Sequence, residues 1–135
     1  MAETRLRFLD KLLAERVDLL DAATQRRVAR ECAAWAARRA GLDAPWVRDA
    51  LALLEQPPPW PAEVVAKFHA EAEQLDSGAP ASFPQARAAA AISAAFDADS
   101  TQAAGEAAYE AHFATPDEQP DIAALRSVIQ GALED

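Results

Sequence analysis

The chain has 135 residues, 51% of them hydrophobic, with 22 acidic side chains against 13 basic ones and a formal net charge of −9. That length supports one core rather than two, and the alanine-heavy, β-branch-poor composition excludes sheet-rich classes, so an all-α single domain over residues 1–135 is expected. A lone cysteine, Cys32, excludes an internal disulfide and cannot build a zinc site alone. With no signal-peptide run and no stretch apolar enough to span a bilayer, the expected location is the cytoplasm.

In chain order, the start and stop signals predict about seven helices. The first runs from about Thr4 to Leu20, with Leu6, Leu9, Leu13, Val17 and Leu20 on one stripe and Phe8, Leu12 and Leu19 beside it. Asp21 or Thr24 caps a second helix, which stops at Gly41, a residue suited to the left-handed position after a helix end. On this helix Val28, Ala29, Cys32, Trp35 and Ala36 share one arc, Arg26, Arg27, Arg30 and Arg38 the opposite one, and Arg39 falls on the apolar side. Arg39 must therefore snorkel to water or pair with a neighbouring carboxylate. Asp43 caps a third helix with Pro45 in its first turn, and the proline-rich connection QPPPWP at 56–61 ends it.

Pro61 opens a fourth helix with a core stripe of Val64, Val65, Phe68, Ala72 and Leu75, closed by Ser77-Gly78. The capping-box order Ser82-Phe83-Pro84-Gln85 starts a fifth helix, Asp99-Ser100-Thr101-Gln102 a sixth, and the two form an αα-hairpin at residues 83–114. Ile122, Leu125, Ile129 and Leu133 stripe the last helix after Pro120. The expected core is Leu9, Leu13, Val28, Trp35, Leu51, Val64, Phe68, Ile92, Phe96, Leu125 and Ile129.

No Ser-His-Asp or Cys-His set has spacing support, and four glycines make no phosphate loop. His69 and Glu73 share a helix face, but neither His69 nor His112 has Glu three residues before it, as helix-bundle metal sites require. A non-enzymatic chain without metal or cofactor is therefore expected. Glu110 and His112 read as surface groups, and Cys32 as a small buried hydrophobe.

Two binding readings remain. Ala37, Gly41 and Val47 have the small–glycine–β-branched spacing of a helix-turn-helix, and the resemblance covers about 20 residues. It implies a DNA-binding regulator using residues 37–51, with Arg48 and Trp46 as the available readers. Against it stand Asp43 and Asp49 beside Arg48, and the net charge. The charge itself is split, +1 over residues 1–56 and −10 over 57–135. The favoured reading is accordingly a protein-binding module meeting a basic partner with Glu63, Glu71, Glu73 and Asp76, next to Trp60. The alanine-dense stretch FPQARAAAAISAAFDADSTQAAGEAAYEAHF, with the Arg- and Trp-bearing helix before it, is similar to bacterial immunity-like proteins. That resemblance implies a small cytoplasmic helical protein that binds and neutralises a partner.

Overall fold

A computed structural model describes residues 3–76 and 83–134. Eight helices follow one another: α1 (Leu6–Leu9), α2 (Lys11–Asp18), α3 (Ala22–Ala40), α4 (Pro45–Leu54), α5 (Ala62–Asp76), α6 (Phe83–Ala95), α7 (Ser100–His112) and α8 (Ile122–Glu134). The described residues form no strand, and none of their helices is long and apolar enough to cross a membrane. The eighth helix arises because the first predicted one is broken. Asp10 adopts an extended backbone (φ −160°, ψ 101°), and its carboxylate accepts the Leu13 amide at 3.0 Å, so it ends α1 and caps α2.

Helix α3 is the axis of the bundle, packed by α6, α7 and α8, while α5 lies on the outer side of α6 and α1–α2 rest on α7. Alanines make this close approach possible: Ala33 and Ala36 of α3, Ala88 and Ala91 of α6, and Ala104 and Ala108 of α7 are fully buried. Leu6, Val28, Ile92 and Leu125 fill the spaces between them. Of the expected core, Leu9, Trp35, Leu51 and Val64 pack against the centre but keep partial exposure. The hairpin expected at 83–114 is present as α6 and α7, turned through Phe96–Asp99.

The ends of the helices are met as follows. Asp21 caps α3 by accepting the Thr24 amide at 2.7 Å, and Gly41 closes it with φ 66° and ψ 31°. Asp99 caps α7 through the Thr101 and Gln102 amides. Asp43 does not cap α4: Ala44 holds that place without a side-chain bond, Pro45 follows, and Asp43 pairs with Arg48 at 3.6 Å instead. Ser77, Gly78 and Ser82, read as helix signals, lie outside the described residues.

At Gly105 the N-terminal segment meets α7 so closely that a Cβ would overlap the buried Thr4 side chain. Only glycine lets the backbone of α7 receive that segment without displacement.

Candidate functional site

The arginines of α3 bear most directly on whether this chain reaches for nucleic acid. The last carbonyls of a helix lack intrahelical partners and carry partial negative charge, so a cation or donor placed there satisfies both. Helix α3 supplies such groups to four neighbours. Gln25, 3% exposed, donates to the carbonyls of Val17 (3.0 Å) and Asp18 (3.4 Å) at the end of α2. Arg26 holds the carbonyls of Ala95, Asp97 and Ala98 (3.4, 2.6 and 2.8 Å) after α6. Arg27 reaches Ala132 in α8 at 2.7 Å. Arg39 takes Ala111 and His112 (3.2 and 3.5 Å) at the end of α7 while stacking 4.1 Å over Trp35. The sequence leaves Arg39 either to reach water or to pair with a neighbouring carboxylate; the bonds it makes here are to backbone carbonyls instead.

The corner between α3 and α4 has the predicted spacing in three dimensions, with Ala37 and Val47 buried around Gly41. Its outer surface presents Pro45, Arg48, Asp49, Ala52 and Glu55. Arg48 is held by Asp43, and Trp46 is turned onto Phe68, with ring centroids 6.3 Å apart. The outer side of α4 offers a phosphate backbone one cation, already paired, among carboxylates.

The residues read as partner-binding fall into three groups. Trp60 is half-buried: its indole N–H donates to the Gln56 carbonyl at 3.1 Å, its ring stands edge-on to Phe96 at 5.0 Å, and Arg26 lies 5.2 Å over its face. It separates two shallow grooves, one of about 500 Å³ along Arg26, Arg27, Arg30 and Pro57, the other of about 550 Å³ along Pro59, Val65, His69 and Phe96. Glu63, Glu71 and Glu73 are exposed on α5, but not as one stripe. At 100° per residue Glu63 and Glu71 sit 80° apart with Lys67 between them, and Glu73 lies on the other flank of Glu63. Asp76 is bound to Arg87 and does not stand free beside them.

That pairing opens the largest charge cluster among the described residues. Arg87 also reaches Glu110 at 2.7 Å, Glu110 accepts Arg5 at 2.7 Å, and Arg5 continues to Glu106 at 3.0 Å. The Glu110 side chain is 4% exposed, so its charge is compensated by two guanidinium groups in a poorly solvated place. His112, two residues on, is also buried, its Nδ1 lacks a hydrogen-bond partner, and its ring is edge-on to Phe113 at 4.9 Å. Both had read as surface groups. The correction follows from α7, which is enclosed by α3, α6 and the N-terminal segment, so that residues on opposite sides of it are covered alike.

Burial pushes the Cys32 thiol up to about 12, helped by Glu31, which leaves it protonated and unreactive. His69 Nδ1 and Ser93 Oγ form a hydrogen bond between α5 and α6 that no spacing signalled, and Ser93 is not part of the groove lining that His69 joins. Among the described residues, no cluster of three His, Cys, Asp or Glu side chains could hold a metal ion.

A further surface emerges from the N-terminal helices. Phe8, Leu12 and Leu19 are 79%, 73% and 86% exposed. Leu12 and Leu19 form one lip of an apolar groove of about 720 Å³ between α2 and α8, floored by Leu13, Val17 and Ile129 and closed by Leu133. The signal was present in sequence as a second apolar row beside the core stripe, but a row's neighbour is visible only after folding.

No protein-family model, curated protein or solved structure matches the chain.

Proposed function

We propose that the chain is a non-enzymatic helical binding module, immunity- or antitoxin-like in role and cytoplasmic, which engages a basic protein through the outer side of α5. The observation that carries this reading is the unequal use of charge. Arginines 5, 26, 27, 39 and 87 are held by carboxylates or backbone carbonyls of the same chain, whereas Glu63, Glu71 and Glu73 project from α5 into solvent. Exposed carboxylates on an acidic chain steer a basic partner and set the salt dependence of encounter. Trp60 borders them as the aromatic anchor, with one face already occupied by Arg26. Asp76 is spent on Arg87 and contributes no free charge.

The test starts from a partner captured from the native host, its association measured over a salt series. Glu71→Lys with Glu73→Lys should slow association at low salt and converge with the native protein at high salt, while Trp60→Ala should shorten the lifetime of the complex. Identical association rates at every salt concentration would remove α5 from the interface.

A further inference from the structure

Of the two grooves that Trp60 separates, the one along α3 is apolar on one flank and cationic on the other. Taking Arg26 as origin at 100° per residue, Arg30 lies at about +40° and Arg27 at about +100° around α3. Arg26 stacks over the Trp60 indole, and that flank is built with Leu54, Pro57 and Pro58. Arg27 marks the other flank, against α8. Its Nε donates to the Ala132 carbonyl at 2.7 Å, and among the described residues its two Nη atoms make no hydrogen bond. Arg30 stands between the two, 3.6 Å from its chain neighbour Glu31. Asp21 feels the charge of Arg27 but caps Thr24 instead of pairing with it. Glu55, the acid of the lining, sits near Pro57 on the apolar flank.

We propose that this groove binds a small organic monoanion, an arene carboxylate, with its ring against Trp60 and the prolines and its carboxylate on Arg27. The charge and the body of the ligand are each selected by the lining. Two Nη atoms of one guanidinium form a planar fork that matches both oxygens of a carboxylate, and such a charge-assisted pair is stronger than a neutral hydrogen bond. Arg26 is spent on three backbone carbonyls and Arg30 is shared with Glu31, so one open fork selects one carboxylate. The indole and proline surfaces are flat, and the volume of about 500 Å³ falls within the range of small-molecule clefts, about 300 to 1,000 Å³. Glu55 fixes the orientation, because a reversed ligand would bring its carboxylate to that acid. On a chain of net charge −9, a groove with three guanidinium groups against one carboxylate is a local reversal of sign that attracts an anion the rest of the surface repels. Arg27 lies apart from the outer side of α5, so this site and the α5 reading can fail independently.

Calorimetric titration with naphthoate, benzoate and indole acetate tests the site. At least one should bind saturably at micromolar to millimolar concentration and shift the Trp60 indole N–H resonance, which Trp60→Phe assigns by its disappearance. Naphthamide, the same ring system without the charge, should bind about tenfold or more weakly than naphthoate, as the loss of a charged hydrogen-bonded pair implies. Arg27→Gln should remove that preference by lowering affinity for the acid alone, with an unchanged thermal melt showing that the bundle is intact. Arg27→Lys should recover part of it, since lysine keeps the charge without the fork. Trp60→Ala should weaken acid and amide alike. Failure of all three anions to bind at millimolar concentration, equal affinity for acid and amide, or an Arg27→Gln chain that keeps the preference would overturn the proposal. An acidic peptide that binds through Arg27 where no free arene carboxylate does would overturn it as well, giving the groove to a protein partner.

Discussion

Helices α3 and α5 both carry a charged face opposite an apolar stripe, and in sequence the two look alike. In the folded chain they do opposite things. Arg26, Arg27 and Arg39 of α3 lie against the carbonyl ends of α6, α8 and α7, where their charge completes the hydrogen bonding of other helices. Glu63, Glu71 and Glu73 of α5 face solvent because α5 is peripheral and packs mainly on α6. A charged helical face is therefore structural or available according to how many helices surround it, and that number is a property of the bundle.

The sharpest way to break this comparison is to remove a charge that the interior has committed. Glu110→Ala leaves Arg87 with Asp76 and Arg5 with Glu106 but takes one charged hydrogen bond from each, and should cost about 3 kcal/mol in urea unfolding. If the loss is no greater than that of an ordinary surface residue, the cluster of Arg5, Glu110 and Arg87 is not an interior charge system. Arg39→Ala should cost about 1.5 to 3 kcal/mol, from charged hydrogen bonds at the end of α7 and the stack on Trp35. Arg39→Lys should recover part of it, since a lysine retains the cation without the planar stack.

A smaller effect is expected from His112, whose pKa is held below its ordinary value by burial and by neighbouring Arg39. Its folded value lies below the unfolded one, so the unfolded chain takes up the proton first. The associated stability is complete above about pH 6.5 and is lost as pH falls through the folded value. Thermal melts of His112→Leu should show a flatter pH dependence below neutrality, and a curve parallel to that of the native chain would refute the assignment. The smallest effect belongs to α5: Glu71→Lys with Glu73→Lys should change unfolding stability by no more than about 0.5 kcal/mol, which equilibrium denaturation can check.

Much of the helical architecture was legible because it is written locally. The stripe of Val28, Cys32 and Ala36, the Asp21 cap, the Gly41 stop and the Asp99 start each depend on residues within a few positions. Two local readings were displaced by other groups. Asp10, unremarkable in an apolar stripe, is drawn to the Leu13 amide and to Arg126, and these contacts stabilise a break in the predicted first helix. Asp43, expected as a cap, is engaged by Arg48.

The candidate site was far less legible. The sequence identified the acids of α5 but not that Asp76 would be taken by Arg87, eleven residues on and in another helix. It showed the row of Phe8, Leu12 and Leu19 but not that Leu12 and Leu19 would border a groove made with residues more than a hundred positions away. What the sequence by itself determined is the helices, their apolar faces and an acidic excess, because hydrophobic periodicity and capping act over one or two turns. Only the tertiary structure decided which charges are spent. Burial and ion pairing depend on where a second and third helix lie, as Arg39 at the end of α7, buried Glu110 and the close approach of Thr4 to Gly105 each require.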